Sequence, residues 1–375
     1  MSKELQIRNS TVDFLVFTRD AGEDGIEVRV QNGDVWLTQK AISQLFDVDR
    51  SVVTKHLSNI FKEGELDENS VCAKFAQTAD DGKTYNYKFY SLAAIIAVGY
   101  RINSERAMQF RTWATKVLDL MEDEEFIKAV EEHPKLFTGF SDTTINHLMF
   151  YKLGLSTYYG PNFICDLGEI ADEMLPYTKR AFESYLEGNE SDEIISSDTW
   201  YEEREDFSRA AIGTERKTHK EERGFELLQG SEIFQGGLLG GCLESLYDIL
   251  TNSRYEDEKE VCERYDLFPN KEEWIGKILF IETCEEKPTP ELFEREVLLL
   301  KEKGVFDVVN GVLVGKPQDE AYYQEYKDIL IRVIDNEKLP IVYNVNFGHA
   351  MPRCALQYGA VAKVDMKQKK IYVNR

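Results

Sequence analysis

Three short apolar runs dominate the second half of the chain: Lys277–Ile281 (KILFI), Gly311–Val314 (GVLV) and Ile341–Val345 (IVYNV). Between them, Phe293, Val297 and Leu300, and then Tyr322, Tyr326, Leu330 and Val333, recur at helical spacing. Runs this short and apolar read as strands buried on both faces. Strand–helix–strand–helix–strand order predicts a largely parallel α/β arrangement. The first helix carries its own start signal, Thr289 as cap followed by Pro290. Functional groups in such sheets collect at the carboxyl ends of strands. Glu282, directly after KILFI, and His349, in Phe347-Gly348-His349, both lie there. A carboxylate that orients an imidazole and stabilises its protonated form is the supporting half of a serine triad. Spacing alone leaves open a surface carboxylate and a structural histidine, because a triad is defined by geometry.

Charge divides the chain. Its net −23 is unevenly spread: residues 1–122 hold 15 Lys and Arg against 18 Asp and Glu, and the remainder 30 against 50. Only the nearly neutral front segment is suited to approach a polyanion. There, Val35-Trp36-Leu37 reads as a strand, and Thr38 caps a helix with Ala41, Ile42 and Leu45 on one face. After Asp47-Val48-Asp49, a second helix with a cap at Ser51 places Val53, Leu57 and Ile60 inward. This is a helix-turn-helix pattern, or else a helical hairpin with a solvated polar face. Its outward residues, Arg50, Ser51, Thr54, Lys55, Ser58, Asn59 and Lys62, are the candidate DNA contacts. Lys74–Ala79 and Thr84–Tyr90 flank Asp81-Gly82 as a β-hairpin, a candidate wing. Ser91 and Ser104 are expected to cap two further helices, the latter with Met108, Trp113, Val117 and Met121 in its core stripe.

No apolar run approaches the ~18–20 residues that span a bilayer, and the start MSKELQIRNS has no signal-peptide core, so a soluble cytoplasmic protein is expected. The six cysteines are scattered without a CxxC pair, which suggests reduced thiols and neither a disulfide framework nor a zinc site. No cofactor or metal site is predicted. Gly236-Gly237 and Gly240-Gly241 lack the Lys-Ser/Thr of a phosphate loop and are expected to form a tight turn. The charged stretch Asp198–Lys220 is expected to be a mobile connection or lid, with His219 solvated.

Two resemblances follow. VWLTQKAISQLFDVDRSVVTKHLSNIFKEGELDENSV and DGKTYNYKFYSLAAIIAVGYRINSERAMQFRTWATKVL resemble the RhuM family of virulence-associated proteins over residues 10–120. That resemblance implies an α+β, winged-helix-like DNA-binding domain. KLFTGFSDTTINHL, TYYGPNFICDLGE, IFQGGLLGGCLESL, ILFIETCEEKPTPELFE and NVNFGHAMPRCALQYGA resemble successive blocks of the LD-carboxypeptidase and microcin-C immunity serine peptidases. It implies catalytic roles for Glu282 and His349. The implied ligands are a peptide ending in a D-amino acid or a peptidyl or aminoacyl nucleotide.

The resemblance further implies a nucleophile on a Gly-Gly-led elbow ahead of the GFSD block, where no GGxxS string occurs. Ser141, in the GFSD block at the end of a short strand, is the substitute near the cleft that the residues themselves offer, at a position the resemblance does not imply as nucleophile. The expected organisation is therefore residues 1–122 as the DNA-binding-like domain and 123–134 as a junction. Residues 135–204 are expected as the remnant of a peptidase N-terminal domain, and 205–375 as an α/β C-terminal domain. A catalytically impaired peptidase module fused to a DNA-binding module is the leading expectation. An active serine carboxypeptidase with an unidentified nucleophile is the alternative. Uncovered apolar surface around residues 136–165 predicts homo-oligomers.

Overall fold

A computed structural model describes residues 29–31, 34–62, 68–78, 84–101, 121–187, 191–204, 206, 209–254 and 258–374. The chain divides into two compact units, Met1–Asp119 and Leu120–Arg375.

In the first unit, β1 (Arg29–Gln31), β2 (Asp34–Thr38), β3 (Cys72–Thr78) and β4 (Thr84–Ser91) form an antiparallel sheet in the order β1-β2-β4-β3. Helix α1 (Gln39–Leu45) starts where the Thr38 hydroxyl accepts the Ala41 amide. Helix α2 (Arg50–Lys62) turns Val53, Leu57 and Ile60 inward against Ala41, Ile42, Leu45 and residues of α3 (Leu92–Arg101). Two expected caps differ. Asp49, not Ser51, opens α2, because its carboxylate accepts the Ser51 amide. The buried Ser91 hydroxyl has no partner, so it does not cap α3. The Asp81-Gly82 turn and most of the helix expected after Ser104 lie outside the described residues.

The second unit is built on an eight-stranded mixed sheet in the order Glu226–Gln229, Ile341–Val345, Gly311–Gly315, Lys277–Glu282, Ile233–Cys242, Val361–Asp365, Lys370–Asn374, Ser191–Ile195. Its centre is parallel: β11 (Ile233–Cys242), β12 (Lys277–Glu282), β13 (Gly311–Gly315) and β14 (Ile341–Val345). The strands β12, β13 and β14 are the three apolar runs of the sequence, and burial on both faces is why they lack alternation. Antiparallel β10 (Glu226–Gln229), β16 (Val361–Asp365), β17 (Lys370–Asn374) and β7 (Ser191–Ile195) complete the sheet. Residues 135–204 and 205–375 thus share one unit, since β7 pairs with β17.

Helices α4 (Leu243–Thr251) and α5 (Pro290–Glu302) follow β11 and β12; Thr289 caps α5 and Pro290 occupies its first turn. The Gly-rich segment is not a turn. It forms β11, where a methyl on Gly240 would overlap the Phe280 carbonyl of the neighbouring strand. Nor is Asp198–Lys220 wholly a free connection: Thr199–Tyr201 pairs with Thr218–Lys220, and His219 stacks on Trp200 at 4.1 Å and bonds Glu202 at 2.7 Å. No helix among the described residues is long and apolar enough to cross a membrane. Leu136 and Phe163 are exposed in the region expected to carry uncovered apolar surface.

Candidate active site

Glu282 ends β12 and is almost fully buried; His349 follows β14 in a tight loop. Gly348 makes their approach possible. Its φ of +87° suits glycine, and any side chain there would strike the Glu282 carboxylate. One Glu282 oxygen, Oε2, accepts both the His349 backbone amide at 3.0 Å and Nδ1 of its ring at 2.8 Å. The other, Oε1, accepts the Tyr159 hydroxyl in a short bond. Both oxygens are thus committed: Oε2 orients the ring, and Tyr159 on Oε1 holds the carboxylate that does so.

Ser141 reaches the same cluster through its backbone. A short strand (Thr138–Gly139) leads into Ser141, and a 3₁₀ turn and the helix Thr144–Lys152 follow it. Ser141 takes the left-handed φ of +64°, a conformation costly for a residue with a Cβ. Its amide donates to the Tyr159 hydroxyl at 3.1 Å, so one phenol bridges the Ser141 backbone and Glu282. The preceding Phe140 packs edge-on against the His349 ring, with centroids 4.9 Å apart. Ser141, Phe140 and His349 line one cavity of about 490 Å³, whose wall also includes Arg204, Arg216 and Arg353. A strand–left-handed serine–helix turn is the backbone of a nucleophile elbow. Sequence reasoning placed Ser141 near the cleft but had no signal for this conformation.

The far nitrogen of His349, Nε2, lies 3.0 Å from a carboxylate oxygen of Glu285, a residue the sequence analysis did not single out. Burial alone would lower the imidazole's pKa. The charges and hydrogen bonds of Glu282 and Glu285 outweigh it and raise the value to about 10. The bond from His349 holds the half-exposed Glu285 carboxyl down at about 2. Burial, then the charge of Glu282, pushes the Tyr159 hydroxyl well above its ordinary range, so it remains a donor.

Cys242, Glu282 and His349 are the one trio among the described residues whose potential metal-ligating atoms lie within 4.8 Å of one another. Those atoms are spent on other bonds. Burial raises the Cys242 thiol, which donates to Glu244 at 3.2 Å, and both Glu282 oxygens already accept hydrogen bonds.

The other sequence candidates lie in the first unit, on α2. Arg50, Ser51, Thr54, Lys55, Ser58 and Lys62 are exposed there and Asn59 is half-buried.

Comparison with known proteins places the second unit. Residues 235–364 match the LD-carboxypeptidase C-terminal domain and residues 113–160 the LD-carboxypeptidase N-terminal domain. The crystal structure of an MccF-like protein from Streptococcus pneumoniae in complex with AMP is 50% identical. The match covers 68% of this chain and 73% of that one, with a TM-score of 0.65. The chain belongs to the LD-carboxypeptidase and MccF-like family. An MccF-like protein from Bacillus anthracis is 28% identical over 66% of this chain and 70% of its own, with a TM-score of 0.54. The microcin C7 self-immunity protein MccF of Escherichia coli is 27% identical over 65% of this chain and 67% of its own. A Treponema pallidum protein named as a carboxypeptidase is 26% identical, and the chain spans 65% of its length. Within the LD-carboxypeptidase match, the N-terminal segment contains Ser141 and the C-terminal one Glu282 and His349. A separate match to the Virulence protein RhuM family covers residues 70–131.

Proposed function

We propose that the second unit is a serine hydrolase of acyl bonds in which Ser141 is the nucleophile, His349 the general base and Glu282 the group that orients it. The observation that carries this reading is the elbow at Ser141, tied through Tyr159 to the carboxylate that holds His349. It replaces the expectation of an impaired module. The substrate class is an aminoacyl or peptidyl nucleotide, or a peptide with a terminal D-residue. The AMP bound to the Streptococcus relative supports the nucleotide form.

For His349 to act, Glu285 must leave Nε2, and its half-exposed position at the cavity leaves it room to do so. Ser141 Oγ then attacks the acyl carbon while Nε2 takes its proton. The imidazolium passes that proton to the leaving group, and water repeats the sequence to release the acid. Glu282 holds the ring in place and offsets its charge. The amide of Asp142, next after the nucleophile, is the oxyanion donor such an elbow supplies.

The test is turnover of an aspartyl-adenylate phosphoramidate and of a tetrapeptide ending in D-alanine. At least one should be hydrolysed, with a loss on the order of 10³-fold or more in Ser141→Ala and in His349→Ala. Undiminished turnover in Ser141→Ala would refute the assignment. No turnover of either class would return the unit to a ligand-binding role.

A second reading concerns the first unit. The exposed polar and cationic face of α2, on a helix pair backed by a β-hairpin, supports a winged-helix-like module that contacts DNA. Duplex binding followed by fluorescence anisotropy should weaken in Arg50→Ala/Lys55→Ala, with a shallower salt dependence. Identical isotherms for variant and parent would exclude this face.

A further inference from the structure

Arg353 is one of the largest fully buried side chains, 1% exposed, and it follows His349 by four residues. Its charge is met by Asp166, on the helical turn Phe163–Leu167, whose Oδ1 lies 3.3 Å from Nε. That pairing is incomplete: among the described residues neither Nε nor Nη1 of Arg353 has a hydrogen-bond partner. The other Asp166 oxygen accepts the Asn162 amide at 2.8 Å. A buried guanidinium so loosely paired costs stability, so packing does not account for it.

What Arg353 does hold is the catalytic cluster. Nη2 donates to the backbone carbonyl of His349 at 3.0 Å. The guanidinium carbon lies 4.0 Å from the centroid of the Phe140 ring, a cation–π contact. Phe140 meets the imidazole edge-on and immediately precedes Ser141. One flat cation thus touches the loop that carries the base and the elbow that carries the nucleophile. Its own backbone is anchored apart from the side chain, since the Arg353 amide donates to the Thr178 hydroxyl at 3.1 Å.

We infer that Arg353 is a positioning residue for the serine–histidine pair, acting through the His349 carbonyl and the Phe140 ring to set how the imidazole stands against the elbow. The inference rests on the serine-hydrolase reading. Arg353 also belongs to the wall of the cavity that Ser141 and His349 share, and a substrate contact there would have another kinetic signature. Lost substrate binding raises KM, whereas lost alignment lowers kcat.

The test uses the full chain and two readouts: the rate of fluorophosphonate labelling at Ser141, and steady-state hydrolysis of the adenylate phosphoramidate or the D-alanine tetrapeptide, whichever the parent turns over. Arg353→Met alone would strand the buried Asp166 carboxylate, so it is combined with Asp166→Asn, whose side-chain oxygen still accepts the Asn162 amide. The double variant should keep a denaturation midpoint near the parent's, lose on the order of 10²-fold in kcat and in labelling rate, and hold KM within about twofold. Phe140→Leu should lower kcat as well, and adding it to the double variant should cost little more, because both changes act through one contact. Should the double variant fail to fold, Arg353→Lys, which keeps the charge but not the flat cover over Phe140, should still lower kcat at unchanged KM. Parental kcat in the double variant or in Arg353→Lys, a loss that falls on KM, or losses that multiply when Phe140→Leu is added would each overturn the positioning role and leave the hydrolase reading standing. A parent that is neither labelled nor active would remove both.

Discussion

His349 lies between two carboxylates, Glu282 on Nδ1 and Glu285 on Nε2, and that arrangement sets its pH behaviour. Its folded pKa of about 10 lies above the ordinary 6.5. The stabilisation it brings is therefore complete below about pH 6.5 and lost as pH rises through 10. Glu285, held at about 2 against an ordinary 4.5, works the other way: its share is present above about pH 4.5 and lost as pH falls through 2. An imidazolium is a poor general base, so Glu285→Gln should lower the imidazole pKa and move the acid limb of the kcat/KM profile down by roughly one pH unit or more. A profile that stays in place would mean that Glu285 does not control the base. Glu282 and His349 were legible in the sequence because each follows a short apolar run, where a parallel sheet presents its chemistry. Ser141 was not fully legible. Nothing in the residue type announces a left-handed φ, and Tyr159, which ties serine to glutamate, lies 123 residues from its partner.

At the scale of elements, β12, β13 and β14 and the capped start of α5 were readable because burial on both faces and a Thr-Pro cap leave local marks. The β11 glycines misled, since a turn and a crowded strand both call for glycine. Here the cause is close approach: β11 lies against β12 so tightly that a methyl on Gly240 meets the Phe280 carbonyl. Gly240→Ala should cost about 1–3 kcal/mol or more, read as a lower denaturation midpoint with an unchanged slope. A variant as stable as the parent would show that the strands part without penalty. The ribbon formed by Thr199–Tyr201 and Thr218–Lys220 was read as a mobile stretch because its charged residues resemble a solvated linker. What organises it is stacking and ion pairing with residues well separated in the chain, including the nearly buried Arg204 and Arg216 on Glu169.

For the whole molecule, the uneven charge of the sequence follows the division into two compact units. The first unit is nearly neutral and presents cations on α2. The acidic second unit gathers carboxylates around Ser141, among them the buried Glu282 and Glu296. The family match covers the elbow and the glutamate–histidine pair, so both sides of the proposed triad lie within this chain. The most direct measurement is labelling of the full chain with a fluorophosphonate, followed by peptide mass spectrometry. The account predicts one adduct, on Ser141, that disappears in His349→Ala. An unlabelled protein, or an adduct on another serine that survives His349→Ala, would contradict it.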